Sequence, residues 1–235
     1  MNGTHSPALQ RRVILSSPLA VTVYVLCAIA FVVLAVAAHQ ANAFPGDVFI
    51  TRQLQSIDSP IFDALMEAVT RIGFFVPSSI IVILCALGFA IARRPVEVLF
   101  ILLTATGDGI TELVKILVAR PRPSSNVVNV FETLREYGFP SAHVTHYVIF
   151  YGFLFFLFWT LLPGSWLRTV ALLVPVALML LVGPSRIYLG AHWASDVLGA
   201  YLLGGLWLVI LIEAYSTCKE KWTSRSGGKR MDASG

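Results

Sequence analysis

Apolar residues fall along this chain in long runs, not in the alternating pattern of a half-buried strand. A helix needs about 20 mostly apolar residues to cross the hydrocarbon core of a bilayer. Six segments meet that length: Leu19 to Ala38, Ile72 to Ala92, Val96 to Ala119, Val144 to Leu162, Leu167 to Tyr188 and Asp196 to Tyr215. The pattern predicts an all-α, polytopic membrane protein with six transmembrane helices in one bundle, formed by residues 1–217. From Cys218 onward the chain turns polar and basic, and residues 218–235 are expected to be a disordered cytoplasmic tail. No internal repeat or low-complexity stretch interrupts the layout.

Composition agrees. The chain is 57% hydrophobic and only 13% charged, against about 25% charged in a soluble domain. The net charge of +4 comes from short basic clusters at the ends of apolar runs, which gives no nucleic-acid signal. Cys27, Cys85 and Cys218 show neither a disulfide framework nor a zinc spacing and read as inert thiols. Arg11 and Arg12, an apolar run and Ala41-Asn42-Ala43 imitate a signal peptide, but the run is longer than the 7–15 residues of a cleaved one. It is expected to stay as a signal anchor. With the N-terminus inside, the inner face holds Arg11, Arg12, Arg93, Arg94, Arg168, Lys219, Lys221, Arg225, Lys229 and Arg230. The outer face holds Arg52, Arg71, Lys115, Arg120, Arg122, Arg135 and Arg186, so the bias is ten against seven. Both termini are therefore expected in the cytoplasm.

The third segment carries Asp108, Glu112 and Lys115 at helical spacings. Charges inside a span cost about 2.5–3.5 kcal/mol each on insertion scales and usually face the bundle interior. Either the trio neutralises itself, Glu112 pairing with Lys115, or Lys115 meets an external anion. Three further groups fall at helix ends on the same membrane face. Arg122-Pro123 follows Lys115, Pro140-Ser141-Ala142-His143 opens the fourth segment, and Ser185-Arg186 leads to His192 and Asp196. The combination suggests phosphoryl transfer. A lysine and two arginines can neutralise phosphate oxygens, and a helix N-terminus offers free N–H groups to an anion. Asp196, one turn from His192, can accept from one ring nitrogen and leave the other to attack phosphorus, while His143 could protonate a leaving oxygen. An alternative makes His192 and Asp196 half of a metal site completed by His143 and His146, though three converging cations would repel the ion. His5, His39 and His146 read as structural, with His146 alone near enough to His143 to line the site.

The three groups resemble the signature of the type-2 phosphatidic acid phosphatase (PAP2) superfamily, K-x6-R-P, P-S-G-H and S-R-x5-H-x3-D. The resemblance spans Lys115 to Asp196. It implies that His192 is a nucleophile forming a phosphohistidine, that Asp196 orients it, and that His143 is the general acid. Lys115, Arg122, Ser141, Ala142 and Arg186 would then hold the phosphate, Ala142 through its backbone N–H. The spacing from Lys115 selects Arg122 over Arg120. No metal and no cofactor is implied. Ala142 replaces the family's glycine, which is harmless if the residue lies in the first turn of a helix. The substrate implied is a lipid phosphate taken from the bilayer at the extracytoplasmic face, with Ser124 to Phe139 as a lip over the head group. Undecaprenyl diphosphate, phosphatidylglycerol phosphate and phosphatidic acid are expected in that order. A lipid phosphotransferase using the same residues, or a non-enzymatic transporter, remain the alternatives.

Overall fold

Proline and serine mark where the helices begin. Proline opens α1 (Pro18–Gln40), α2 (Pro45–Gln55), α3 (Pro60–Ile72) and α5 (Pro95–Leu103), a position where its missing N–H costs nothing. Ser17, Ser59 and Ser165 cap α1, α3 and α8 (Trp166–Tyr188) by accepting N–H bonds from the first turn. The remaining elements are α4 (Phe75–Ile91), α6 (Thr106–Val118), α7 (Ala142–Leu161) and α9 (Ala194–Asp232). These come from a computed structural model that describes residues 14–132, 134 and 136–232, with side chains through residue 224. His5, Arg11, Arg12 and Arg135 lie outside the described residues, as do the side chains of Arg225, Lys229 and Arg230. There is no strand among the described residues.

The protein is an all-α integral membrane protein, but its spans are less regular than the apolar runs suggest. Among the described residues, four helices, α1, α7, α8 and α9 up to Ser224, are long and apolar enough to cross a bilayer. A fifth span is available if α3 and α4 count together, bent by 64° at Gly73-Phe74. The expected third span is divided into α5, of 9 residues, and α6, of 13, so the count of six is not met by length and apolarity. Hydroxyls explain the division. Thr104 Oγ1 donates to Ile101 O and Thr106 Oγ1 to Leu103 O, each at 2.6 Å, in competition with the helical ladder. At the other end, the stretch expected as an unstructured tail from Cys218 continues α9 as helix to Asp232. Lys219, on that extension, reaches the fully buried Glu97 of α5 at 2.7 Å, and Arg94 lies 3.6 Å from the same carboxylate.

The central helix is α7, packed against α8 and α9, with Tyr147, Phe150, Phe153 and Leu157 buried. In a bilayer, lipid tails are as apolar as these side chains, so close packing and interhelical hydrogen bonds carry the association, each bond worth about 0.6 kcal/mol on average. Tyr147 donates to Val69 O of α3, Ser185 of α8 to Met66 O of α3, and Tyr201 of α9 to Met179 O of α8, each at 2.6 Å. The ends of α6 and α8 and the starts of α7 and α9 thus gather at one end of the bundle. Arg94 and Lys219 mark the other end.

Candidate active site

Helix termini and the loops that join them present the site residues. Residue Ala119 closes α6 in the left-handed conformation, φ 51°, which for alanine costs roughly 1–2 kcal/mol. That reversal sends Arg120 inward and starts the loop of residues 119–141. Ser141 caps α7 with extended backbone, and Ala142 is the first helical residue, as the helix-opener reading expected. Ala142 therefore keeps its N–H at the helix start without positive φ. Ser141 N–H donates to Asp196 O at 3.3 Å, tying the start of α7 to that of α9. At the end of α8, Arg186 O accepts from both Ala191 N–H and His192 N–H, at 3.1 and 3.2 Å. This closed turn accounts for the spacing between arginine and histidine.

His192 is 1% exposed, and its partners determine its tautomer. Nδ1 lies 2.8 Å from Gly138 O, and a carbonyl can only accept, so Nδ1 carries the proton. Nε2 lies 2.9 Å from Arg122 Nη1, and arginine can only donate, so Nε2 holds a lone pair. Burial, and then Arg122, Arg186 and Lys115, hold the imidazole well below its ordinary pKa and so neutral at pH 7. This corrects one expectation. Asp196 Oδ2 stands 3.6 Å from Nδ1, beyond hydrogen-bond range, and the Gly138 carbonyl takes its place. Asp196 is held elsewhere, Oδ1 by Arg120 at 2.5 Å and Oδ2 by Trp193 N–H at 2.9 Å. Glycine at 138 also spares Asp196, because an added Cβ would stand 3.1 Å from its Oδ2 and push the carboxylate by a few tenths of an ångström.

Three cations stand around His192. Arg122 also donates to Ala191 O and to Glu136 O. Lys115, buried, pairs with Glu112 at 2.8 Å and with Glu136 at 3.2 Å. Arg186, also buried, donates to Thr70 and to Glu132, each at 3.3 Å. The expected charge trio of the third segment is thus divided. Glu112 does pair with Lys115, whereas Asp108 lies 3.3 Å from His146. His146 has both nitrogens engaged, Nε2 on Ser78 Oγ at 2.7 Å, and His39 is bonded to Val118 O. His143 sits one residue inside α7, edge-on to Phe74 at 5.5 Å and within electrostatic range of Arg186, His192 and Lys115. Gly73, at the α3–α4 bend, allows this approach, since a Cβ there would meet His143 Cδ2 at 2.6 Å.

Six buried side-chain polar atoms among the described residues have no hydrogen-bond partner. Four of them belong to Ser141 (Oγ), His143 (Nε2) and Arg186 (Nε and Nη2). An unpaired buried polar group costs about 1–3 kcal/mol, more if charged. Four on three expected site residues mark a polar ligand position in which both hydroxyl and guanidinium can donate to oxygen. Of the four residues of the metal alternative, only His143 keeps a free nitrogen: His192 and His146 have both of theirs engaged, and Asp196 is clamped by Arg120. Sequence reasoning missed four contributors. Gly138 and Thr70 carry no local signal. Asp47 lies in a segment read only as a connection, and Arg120 had the same Arg-Pro context as Arg122 but was set aside on spacing.

The fold agrees with known proteins. Residues 96–220, more than half of the chain, match the family model described as PAP2 superfamily. The chain belongs to that superfamily. It is similar to phosphatidylglycerophosphatase B of Bacillus subtilis (strain 168), 29% identical over 189 residues that cover 79% of this chain and 90% of that protein. The crystal structure of a transmembrane PAP2-type phosphatidylglycerolphosphate phosphatase from Bacillus subtilis superposes with a TM-score of 0.70 at 25% identity, covering 84% of this chain and 96% of that one. LpxE of Aquifex aeolicus shares the fold, with a TM-score of 0.55 at 20% identity over 72% of this chain and 96% of that one. The protein is accordingly a membrane lipid phosphatase, a hydrolase of phosphoric esters.

Proposed function

We propose that the protein hydrolyses a phosphomonoester lipid of the phosphatidylglycerophosphate type at the extracytoplasmic face, through a phosphohistidine on His192. The observation that carries this reading is the imidazole with its Nε2 lone pair facing Arg122 inside a ring of three cations. The Bacillus subtilis relative and the Bacillus subtilis crystal structure both carry the name of this substrate, which moves it ahead of undecaprenyl diphosphate, ranked first by the sequence alone.

In the proposed cycle, Arg122 turns its N–H from Nε2 to a phosphate oxygen, and Arg186, Lys115, Ser141 Oγ and the Ala142 N–H hold the others. The lone pair of Nε2 bonds to phosphorus as the phosphorus–oxygen bond to the lipid breaks. His143, which the negative charge of the bound phosphate favours in its protonated form, gives its proton to the leaving oxygen. Water then attacks the phosphohistidine, His143 takes the water's proton, and inorganic phosphate leaves. Asp196 supports the ring while it carries positive charge. No step requires a metal.

His192→Ala should abolish turnover of phosphatidylglycerophosphate in detergent micelles while leaving inorganic phosphate binding by the cradle within about threefold, a group lost only in the transition state. Wild-type turnover should persist in EDTA. Substantial activity in His192→Ala would end the nucleophile assignment, and loss in EDTA restored by a divalent ion would end the metal-free mechanism.

A further inference from the structure

Arg120 and Asp47 are almost fully buried, at 0% and 3% exposed, in a position that controls both groups facing His192 Nδ1. Two oxygens face that one N–H: Gly138 O accepts it at 2.8 Å, and Asp196 Oδ2 stands off at 3.6 Å. Arg120 holds both. Its main-chain carbonyl accepts Gly138 N–H at 2.7 Å, and its guanidinium takes Asp196 Oδ1 at 2.5 Å. The same guanidinium donates to Ser195 Oγ at 2.7 Å, Ala41 O at 3.1 Å and Asp47 Oδ2 at 2.9 Å, and lies over the Phe44 ring at 4.8 Å. Each of its three nitrogens donates at least one bond, a fork that a lysine could not reproduce.

Asp47 completes the arrangement from α2. One oxygen accepts Ser195 N–H at 2.8 Å, and the other accepts Ser195 Oγ at 2.8 Å and Phe44 N–H at 2.9 Å. The cluster therefore contains one guanidinium and two carboxylates. Without Asp47, the whole charge of Arg120 would fall on Asp196 and cancel it as felt from His192. With Asp47, the three groups keep a net negative charge beside a ring that becomes cationic when Nε2 bonds to phosphorus.

We propose that Arg120 and Asp47 are positioning residues for the reaction: they hold Asp196 and Gly138 at their separate distances from His192 Nδ1 and keep Asp196 electrostatically active. The proposal rests on the nucleophile reading of His192 above. It connects α2, outside all three motifs, to the reacting ring through Arg120 and Asp196.

The test uses the full-length protein in detergent micelles, phosphatidylglycerophosphate as substrate and inorganic phosphate as a competitive inhibitor. Asp47→Asn, nearly isosteric, should lower kcat by roughly 10–100-fold, the range found for groups that orient a reacting residue. KM and the phosphate inhibition constant should stay within about threefold, because the cradle is intact. Asp47→Glu should recover part of the loss. Arg120→Gln should in addition move the acid limb of kcat/KM to higher pH, since two less compensated carboxylates favour the imidazolium. Should Arg120→Gln not fold, as thermal melting would report, Asp47→Asn and its rescue decide alone. A well-folded Asp47→Asn enzyme with kcat within twofold of wild type overturns the proposal, as does a loss in kcat matched by an equal loss of phosphate binding. His192→Ala separates the two levels: activity in that variant defeats the nucleophile reading, whereas an inactive His192→Ala beside an unimpaired Asp47→Asn defeats only the positioning role.

Discussion

At the scale of single residues, the two histidines differ in what their neighbours leave free. His192 has both nitrogens bonded and is kept neutral by burial and by Arg122, Arg186 and Lys115. The reactive form is the neutral one, so its depressed pKa keeps the nucleophile available as pH falls from 8 toward 5. Removing Arg122 takes away the cation with the largest effect on the ring, and the pKa returns toward the ordinary 6.5 or so. Arg122→Gln should therefore move the acid limb of kcat/KM upward, with kcat lowered by about 10²–10³ for the lost charge stabilisation. An acid limb unchanged from wild type would contradict this electrostatic account. His143 instead has an unpartnered Nε2. A phosphomonoester lipid expels an alkoxide-like oxygen whose conjugate acid has a pKa near that of water, about 15.7. A diphosphate lipid expels a monophosphate whose relevant pKa is about 6. His143→Ala should lower kcat on phosphatidic acid by the upper part of the 10²–10⁴ general-acid range and on an isoprenyl diphosphate markedly less. Equal losses on both would mean that His143 acts chiefly on water attack at the phosphohistidine.

At the scale of elements, the bend between α3 and α4 is functional geometry. Gly73 lets the bend approach so closely that a Cβ would lie 2.6 Å from His143 and 2.8 Å from Tyr147. The His143 ring must move or α3 must withdraw. Gly73→Ala should thus reduce kcat by at least about tenfold, the loss expected when a catalytic group shifts by an ångström or so, with phosphate inhibition little changed. A kcat within twofold of wild type would show that His143 tolerates the shift. Nothing in the sequence pointed to this bend, since Gly73 lies at the start of a continuous apolar run. The same blindness affects α2 and the α5–α6 break. Apolar runs report which segments the bilayer can hold and not where hydroxyls or glycines interrupt them. By contrast, the opening of α7 was legible, because Pro140-Ser141 is a local signal and Ala142 suits a first turn. The motif residues were legible for a different reason: their proposed role toward phosphate selects the residue type itself, whatever the packing. Gly138 and Asp47 act through a carbonyl and a long-range ion pair, which no spacing encodes.

On the scale of the whole molecule, charge is segregated along the bundle axis. Lys115, Arg122 and Arg186 gather at one end, where Glu132 and Glu136 of the 119–141 loop balance them. Arg94 and Lys219 converge on Glu97 at the other. Cations held by an anionic site are poor guides to topology, because that site and not the translocation machinery selects them. Setting Lys115, Arg122 and Arg186 aside sharpens the ten-against-seven bias toward a cytoplasmic face at the Arg94 and Lys219 end. On the proposed orientation the phosphate cradle is expected to face outward. Ser125, exposed on the loop beside the site, and Ser224, exposed near the far end of α9, are suitable reporters. With Cys27, Cys85 and Cys218 replaced, Ser125→Cys should react with a membrane-impermeant thiol reagent in intact cells. Ser224→Cys should react only after lysis. The reverse pattern would turn the molecule over and place phosphate release in the cytoplasm, whereas labelling of both in intact cells would show that the two ends do not lie on opposite faces of the membrane.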